Sequence, residues 1–178
     1  MFDKILVAID ESKQSDLVIE KAISLAEALK AQLRFFHVLS SAEEDFPSYP
    51  FALTNVGFVV DEAVYQELIQ GYAQERQEFE QRHLDRLRAM VHQAHQSNIA
   101  ADYCLTYGSP GKEICQMAKD WEADAILIGR RGRSGLQEVM LGSVSNYVVH
   151  HAICSVLVIQ KPADLKAEQD AENEFAYA

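Results

Sequence analysis

Five short apolar runs, KILVAI (4–9), QLRFFHVL (32–39), ADYCLTYG (101–108), ADAILIG (123–129) and SVLVIQ (155–160), alternate with stretches of helical period. No other feature constrains the fold as strongly. Runs of this length and composition suit strands, and the nearly continuous ones suit strands buried on both faces. Leu17, Val18, Ala22, Leu25, Ala26 and Leu29 recur at helical spacing and predict a helix from about Ser12 to Lys30. Tyr65, Leu68, Tyr72, Phe79, Leu87, Met90 and Ala94 predict a longer one from about Glu62 to Gln96, with Glu78 and Arg82 placed for an i,i+4 pair. Ser109 as N-cap and Pro110 in the first turn open a third helix that runs to about Trp121, and Ser143 to Ala152 reads as a short fourth. The resulting order β-α-β-α-β-α-β-α-β implies an α/β fold, an open doubly wound parallel sheet with helices on both faces.

The chain has 178 residues, 48% of them apolar, which suits one domain whose core needs neither disulfides nor a structural metal. With 16 Lys+Arg against 27 Asp+Glu, the formal charge of -11 argues against nonspecific binding to nucleic acid or an anionic membrane. A local basic patch for a small phosphorylated ligand remains compatible with it. No apolar run approaches the roughly 18 residues that span a bilayer. MFDKILVAID enters a strand at once and lacks the basic and apolar regions of a secretory signal, so the expectation is a cytoplasmic protein. Cys104, Cys115 and Cys154 are odd in number and show no C-x-x-C spacing, so they read as reduced, mostly buried residues rather than redox sensors.

Two segments break the rhythm. Ser40 to Asp61 holds Pro47, Pro50, Gly57 and the acidic cluster Glu43-Glu44-Asp45. Its aromatics Phe46, Tyr49, Phe51 and Phe58 argue against pure disorder, and two readings fit: a flap or protein-partner segment, or a plain insertion. Residues 161–178 form an acidic, small-residue tail that reads as frayed. The domain is thus expected over 1–160, with a long insertion at 40–61.

Chemistry concentrates after the fourth run, in ILIGRRGRSGLQEVMLGSVSNYVV (126–149). In open α/β sheets ligands bind beyond the carboxyl ends of the strands, where strand order reverses. This segment leaves such an end and delivers the chain into a helix N-terminus, whose free N–H groups suit phosphate. Gly129, Gly132 and Gly142 let backbone approach a ligand, Ser143 and Ser145 offer hydroxyls, and Ser143 is also placed to cap the helix. Arg130, Arg131 and Arg133 add charge. The loop is built as a phosphate cradle, yet it is not a Walker A loop, because no G-K-[ST] ends it. GSPGKE (108–113) lacks that spacing and reads as a turn and helix start, and no G-x-G-x-x-G follows the first strand.

Gly129-x2-Gly132-x9-Gly142-Ser143 resembles the G-x2-G-x9-G-[ST] motif of the nucleotide-binding branch of the universal stress protein family. KILVAIDES, FFHV, YGSPGKEI and SVSNYVVHHAICSVLVI are similar to four further segments of that family, in the same order, covering about residues 1–40 and 62–160. The resemblance implies a five-stranded parallel sheet in the order 3-2-1-4-5 that holds ATP, ADP or AMP. It implies that Ala8, Ile9 and Asp10 line the adenosine side and that Val38 meets the adenine edge through its backbone. Ile128, Gly129, Arg131 and Gly132 would run beside the ribose and phosphates, and Gly142, Ser143, Val144 and Ser145 would bind phosphate. Many members carry His or another polar residue where this chain has Arg131. The family also implies a homodimer formed by edge pairing of the last strand, here Ser155 to Ile159.

Several residues carry competing readings. Asp10 either contacts nucleotide or stabilises the turn that follows it. His92 and His95, and the adjacent His150 and His151, lack acidic or Cys partners at ligand spacing, so no protein metal site is read; any Mg2+ is held by the phosphates. His37, single at a strand end, reads as a packing or hydrogen-bonding residue. For hydrolysis the sequence offers Asp10 and little else near the phosphates. A nucleotide-dependent stress sensor or regulator is therefore expected, with a slow ATP-hydrolysing enzyme of the adenine-nucleotide α-hydrolase-like group as the alternative.

Overall fold

The structure is a computed structural model, and it describes residues 2–12, 14–43, 45–50, 61–130 and 141–160. Nine elements follow one another: β1 (Lys4–Ala8), α1 (Gln14–Leu29), β2 (Gln32–Leu39), α2 (Glu62–Gln96), β3 (Ala101–Tyr107), α3 (Pro110–Asp120), β4 (Ala125–Gly129), α4 (Ser143–His151) and β5 (Ser155–Ile159). All strands are parallel and lie in the order β3-β2-β1-β4-β5, so chain direction across the sheet reverses between β1 and β4. Among the described residues no helix is long and apolar enough to cross a membrane.

The continuous apolar runs are explained by two cores. Ile5 and Val7 of β1 point into a layer with Val18, Ile19 and Ala22 of α1 and Leu87, Met90 and Ala94 of α2. Leu6 and Ala8 point the other way, among Phe36, Ile126 and Ile128 of the sheet, Ile114 and Ala118 of α3 and Val148 of α4. Alternate residues of one strand thus bury on opposite faces, so no polar face is left to alternate with.

Three helices end alike. Lys30, Asn98 and Glu122 take left-handed φ values of 58°, 57° and 54°. The next residue's N–H then reaches back, as in Ala31 to Ala26, Ile99 to Ala94 and Ala123 to Ala118. This closes a Schellman turn and buries Ala31, Ile99 and Ala123 at the strand entrance.

Several expectations are adjusted. Helix α1 begins at Gln14 rather than Ser12, because Ser12 is drawn into a turn on Asp10. In α2 burial is confined to Phe79, His83, Leu87, Met90 and Ala94, while Tyr65 is exposed and Tyr72 meets Tyr49 edge-on. Glu78 accepts from Gln74 Nε2 and the Arg82 guanidinium lies over the Phe79 ring, in place of the expected i,i+4 pair. Ser109 occupies the N-cap of α3 without a side-chain cap bond. Gly142, not Ser143, is the N-cap residue of α4, again without a side-chain cap. The three cysteines are free and half-buried, and burial raises each thiol above its ordinary value.

Candidate functional site

At the carboxyl end of β1, the Ile9 N–H continues the ladder to the Phe36 carbonyl at 3.0 Å, and the chain then turns on Asp10. Asp10 Oδ1 accepts from Ser12 N (3.0 Å), Ser12 Oγ (2.6 Å) and Ser15 Oγ (2.8 Å). Ser15, at the start of α1, also accepts from Asp10 N through the same hydroxyl oxygen, and Arg86 Nη1 donates to the Asp10 carbonyl at 3.0 Å. The turn-stabilising reading of Asp10 is thereby observed, with Oδ2 taking none of these bonds.

At the end of β4, Arg130 N donates to Ile159 O at 2.8 Å, and Arg130 O accepts from Gly142 N at 2.8 Å. The chain therefore leaves and re-enters the glycine-rich segment at one point. Ser145 Oγ seals it from a buried position, its one proton directed to Arg130 O (2.8 Å) with Gly142 O also in reach (3.0 Å). The first intrahelical bond of α4 is Asn146 N to Gly142 O. Among the described residues no side chain caps this end, which leaves the N–H groups of Ser143, Val144 and Ser145 as its open donors.

These two ends and the end of β2 enclose a cavity of about 330 Å³. Ala8, Ile9, Asp10, Val38, Ile128, Gly129, Gly142, Ser143, Val144 and Ser145 all line it. Arg131 and Gly132 lie outside the described residues, as does Arg133. Ala8, Val18, Phe36, Val38, Ile114 and Ile128 form apolar wall, and Asp10, Ser12, Ser143 and the α4 N-terminus supply polar groups. No described lining residue is Lys or Arg, so attraction for an anion within the described cavity rests on backbone N–H groups. The Ser145 hydroxyl, expected to reach a ligand, is occupied by the backbone instead.

One cluster was not foreseen. His37, at the end of β2, and His83, in α2, stack with ring centroids 4.8 Å apart. Glu43, six residues beyond His37 in the turn that follows β2, is buried between them, its carboxylate 3.4 Å from His37 Nε2 and 3.3 Å from His83 Nε2. Burial alone would raise the Glu43 carboxyl, but the two facing imidazoles outweigh it and hold it down to about 2. Burial alone would lower His83; Glu43, the Phe79 carbonyl and Glu11 outweigh it and raise it. His37 and Glu43 also line the cavity. The sequence holds no signal for this grouping, since positions 37, 43 and 83 share neither an element nor a spacing.

The family model of the universal stress protein family matches residues 1–160. A universal stress protein of Synechocystis, Sll1388, is 38% identical over 160 residues, covering 89% of this chain and 98% of its own. Among solved structures, the universal stress protein UspA of Lactobacillus plantarum aligns with a TM-score of 0.62 at 24% identity, over 89% of this chain and 98% of that one. A universal stress protein family protein of Arabidopsis thaliana with AMP bound aligns with a TM-score of 0.56 at 20% identity, over 91% and 94%.

Proposed function

The chain belongs to the universal stress protein family, and we propose that it acts as a nucleotide-dependent sensor or regulator of the stress response, holding ATP or AMP in the cleft between β1 and β4. The observation that carries this is the meeting, in one cavity, of an apolar wall and an uncapped helix N-terminus. An adenine ring needs the first and a phosphate needs the second. The volume of about 330 Å³ falls in the range of small-molecule pockets, roughly 300–1,000 Å³. AMP in the similar Arabidopsis protein is consistent with the same use of the fold.

In this reading Ala8, Ile9, Asp10 and Val38 flank adenosine, and Gly129 with Gly142 to Ser145 receives phosphate. Ile128 lies beside the ribose. Arg131 and Gly132 are assigned on the glycine motif alone, and Mg2+, when present, is carried by the phosphates. We assign homodimerisation to Ser155–Ile159, because β5 closes one edge of the sheet and an apolar edge strand calls for cover.

The test uses protein purified without added nucleotide, denatured to release its ligand for mass spectrometry, and titrated calorimetrically with ATP and AMP. About one adenine nucleotide per chain, or saturable titration, is expected. A protein that is empty and ignores both ligands overturns the reading and leaves the fold untouched.

A further inference from the structure

The grouping of His37, Glu43 and His83 has an internal contradiction that a cation resolves. His37 Nδ1 lies 2.9 Å from the Ile9 carbonyl oxygen and His83 Nδ1 lies 2.8 Å from that of Phe79. A carbonyl accepts and never donates, so each Nδ1 carries a proton and each neutral ring turns a Nε2 lone pair toward the carboxylate. Both Nε2 atoms are buried and lack a hydrogen-bond partner among the described residues. Glu11 Oε1 is 3.0 Å from His83 Nε2 but out of line for a hydrogen bond. Acceptors thus face acceptors in a nearly closed space.

We propose that His37, Glu43 and His83, with Glu11 at the solvent rim, form a binding site for one divalent transition-metal ion of the zinc class. The donor set is two imidazoles and one or two carboxylates, a combination that suits zinc. One ligand atom from each of the three buried residues falls within 4.8 Å of the others. Tetrahedral zinc, with bonds of about 2.0–2.1 Å, separates its ligand atoms by about 3.3 Å. His37 Nε2 lies 3.4 Å from Glu43 Oε1 and His83 Nε2 lies 3.3 Å from Glu43 Oε2, so each ring faces its own oxygen of the one carboxylate at about that separation. The Nδ1–H bonds to backbone carbonyls are the outer contacts that fix the tautomer and orientation of metal-bound histidines.

Position separates this ion from one carried by a nucleotide. Its three buried ligands come from β2, the following turn and α2, with Glu11 reaching in from the turn after β1, and β2 lies across β1 from the β4 end where Ser143 to Ser145 wait. Bound there, it ties the turn after β2 to α2 and fixes the wall of the cavity that Glu43 supplies, without touching the phosphate end. A proton held among the same groups is the rival cation.

The experiment uses the full chain freed of nucleotide and metal, titrated with zinc chloride, with bound zinc counted by elemental analysis. One zinc per chain is expected. His83→Gln and Glu43→Gln should each weaken it roughly 100-fold or more, since even outer contacts cost 10–100-fold. A His150→Gln/His151→Gln variant should bind as the parent does. Circular dichroism establishes that each variant is folded. In the unaltered chain, imidazole nitrogen NMR should show the Nε2 resonances of His37 and His83 moving on zinc addition. Absent stoichiometric zinc, affinity unchanged in folded His83→Gln, or two unmoved Nε2 resonances would each overturn the site and leave a proton as the cation.

Discussion

Ser145 Oγ donates to the carbonyl oxygen of Arg130 at 2.8 Å, across fifteen positions of sequence, and thereby joins the end of β4 to the first turn of α4. Its neighbour Ser143 is exposed and makes no cap bond. Ser143 and Ser145 therefore divide their work, one facing the site and the other building it.

Ser145→Ala should cost about 1 kcal/mol of stability, the usual size of one intramolecular hydrogen bond, and should weaken ATP and AMP together by loosening the helix end. Ser143→Ala should leave the urea midpoint unchanged yet weaken ATP more than adenosine. Equal losses for ATP and adenosine in Ser143→Ala would remove phosphate from the α4 terminus.

Asp10 organises its turn through one carboxylate oxygen that takes three donors. Asp10→Ala should destabilise by about 1–2 kcal/mol, and Asp10→Asn, which keeps an acceptor oxygen, should recover most of it. Chemical denaturation of the pair checks this. Matching stabilities for Ala and wild type would show that the turn is held by something else.

Gly111 of α3 packs against Tyr147 of α4. A Cβ there would lie 2.7 Å from Tyr147 Cδ1. Gly111→Ala should therefore cost about 1–3 kcal/mol by overpacking, despite a helix-propensity gain of about 1 kcal/mol. In a Tyr147→Ala background the same change should become neutral or favourable. A double-mutant cycle with no coupling would contradict the close packing.

Asp124 accepts from the backbone N–H groups of Lys4 and Asp3, at 2.9 and 2.8 Å, and these bonds hold its carboxyl below the ordinary value of 3.8. A group depressed by folding contributes stability above its unfolded value and loses it as pH falls through the folded one. The stability gap between wild type and Asp124→Ala should thus be full at neutral pH and shrink below pH 3.8. A gap that stays constant down to pH 2 would mean the carboxylate charge has no part in that contact.

Much of this is legible because it is local. QLRFFHVL and the stripe from Phe79 to Ala94 name β2 and the buried half of α2, since burial on both faces leaves continuous apolar runs and burial on one leaves a helical stripe. Ends were harder to read. Helix α1 starts two residues late because Asp10 captures Ser12, and the exposed first turns of α2 carry aromatics that look like core in a list of residues.

The sequence by itself determined the alternation of strands and helices, and with it the parallel sheet. Its glycine spacing and four neighbouring segments determined the family, because those patterns depend on residues close in the chain. The tertiary structure decided what needs distant residues at one point. It alone turned the Ser145 hydroxyl onto Arg130 and brought Glu43 between His37 and His83. The physical reason is that a hydrogen bond or ligand sphere is fixed by distances of about 3 Å or less, while the positions that satisfy it are separated by whole strands and helices.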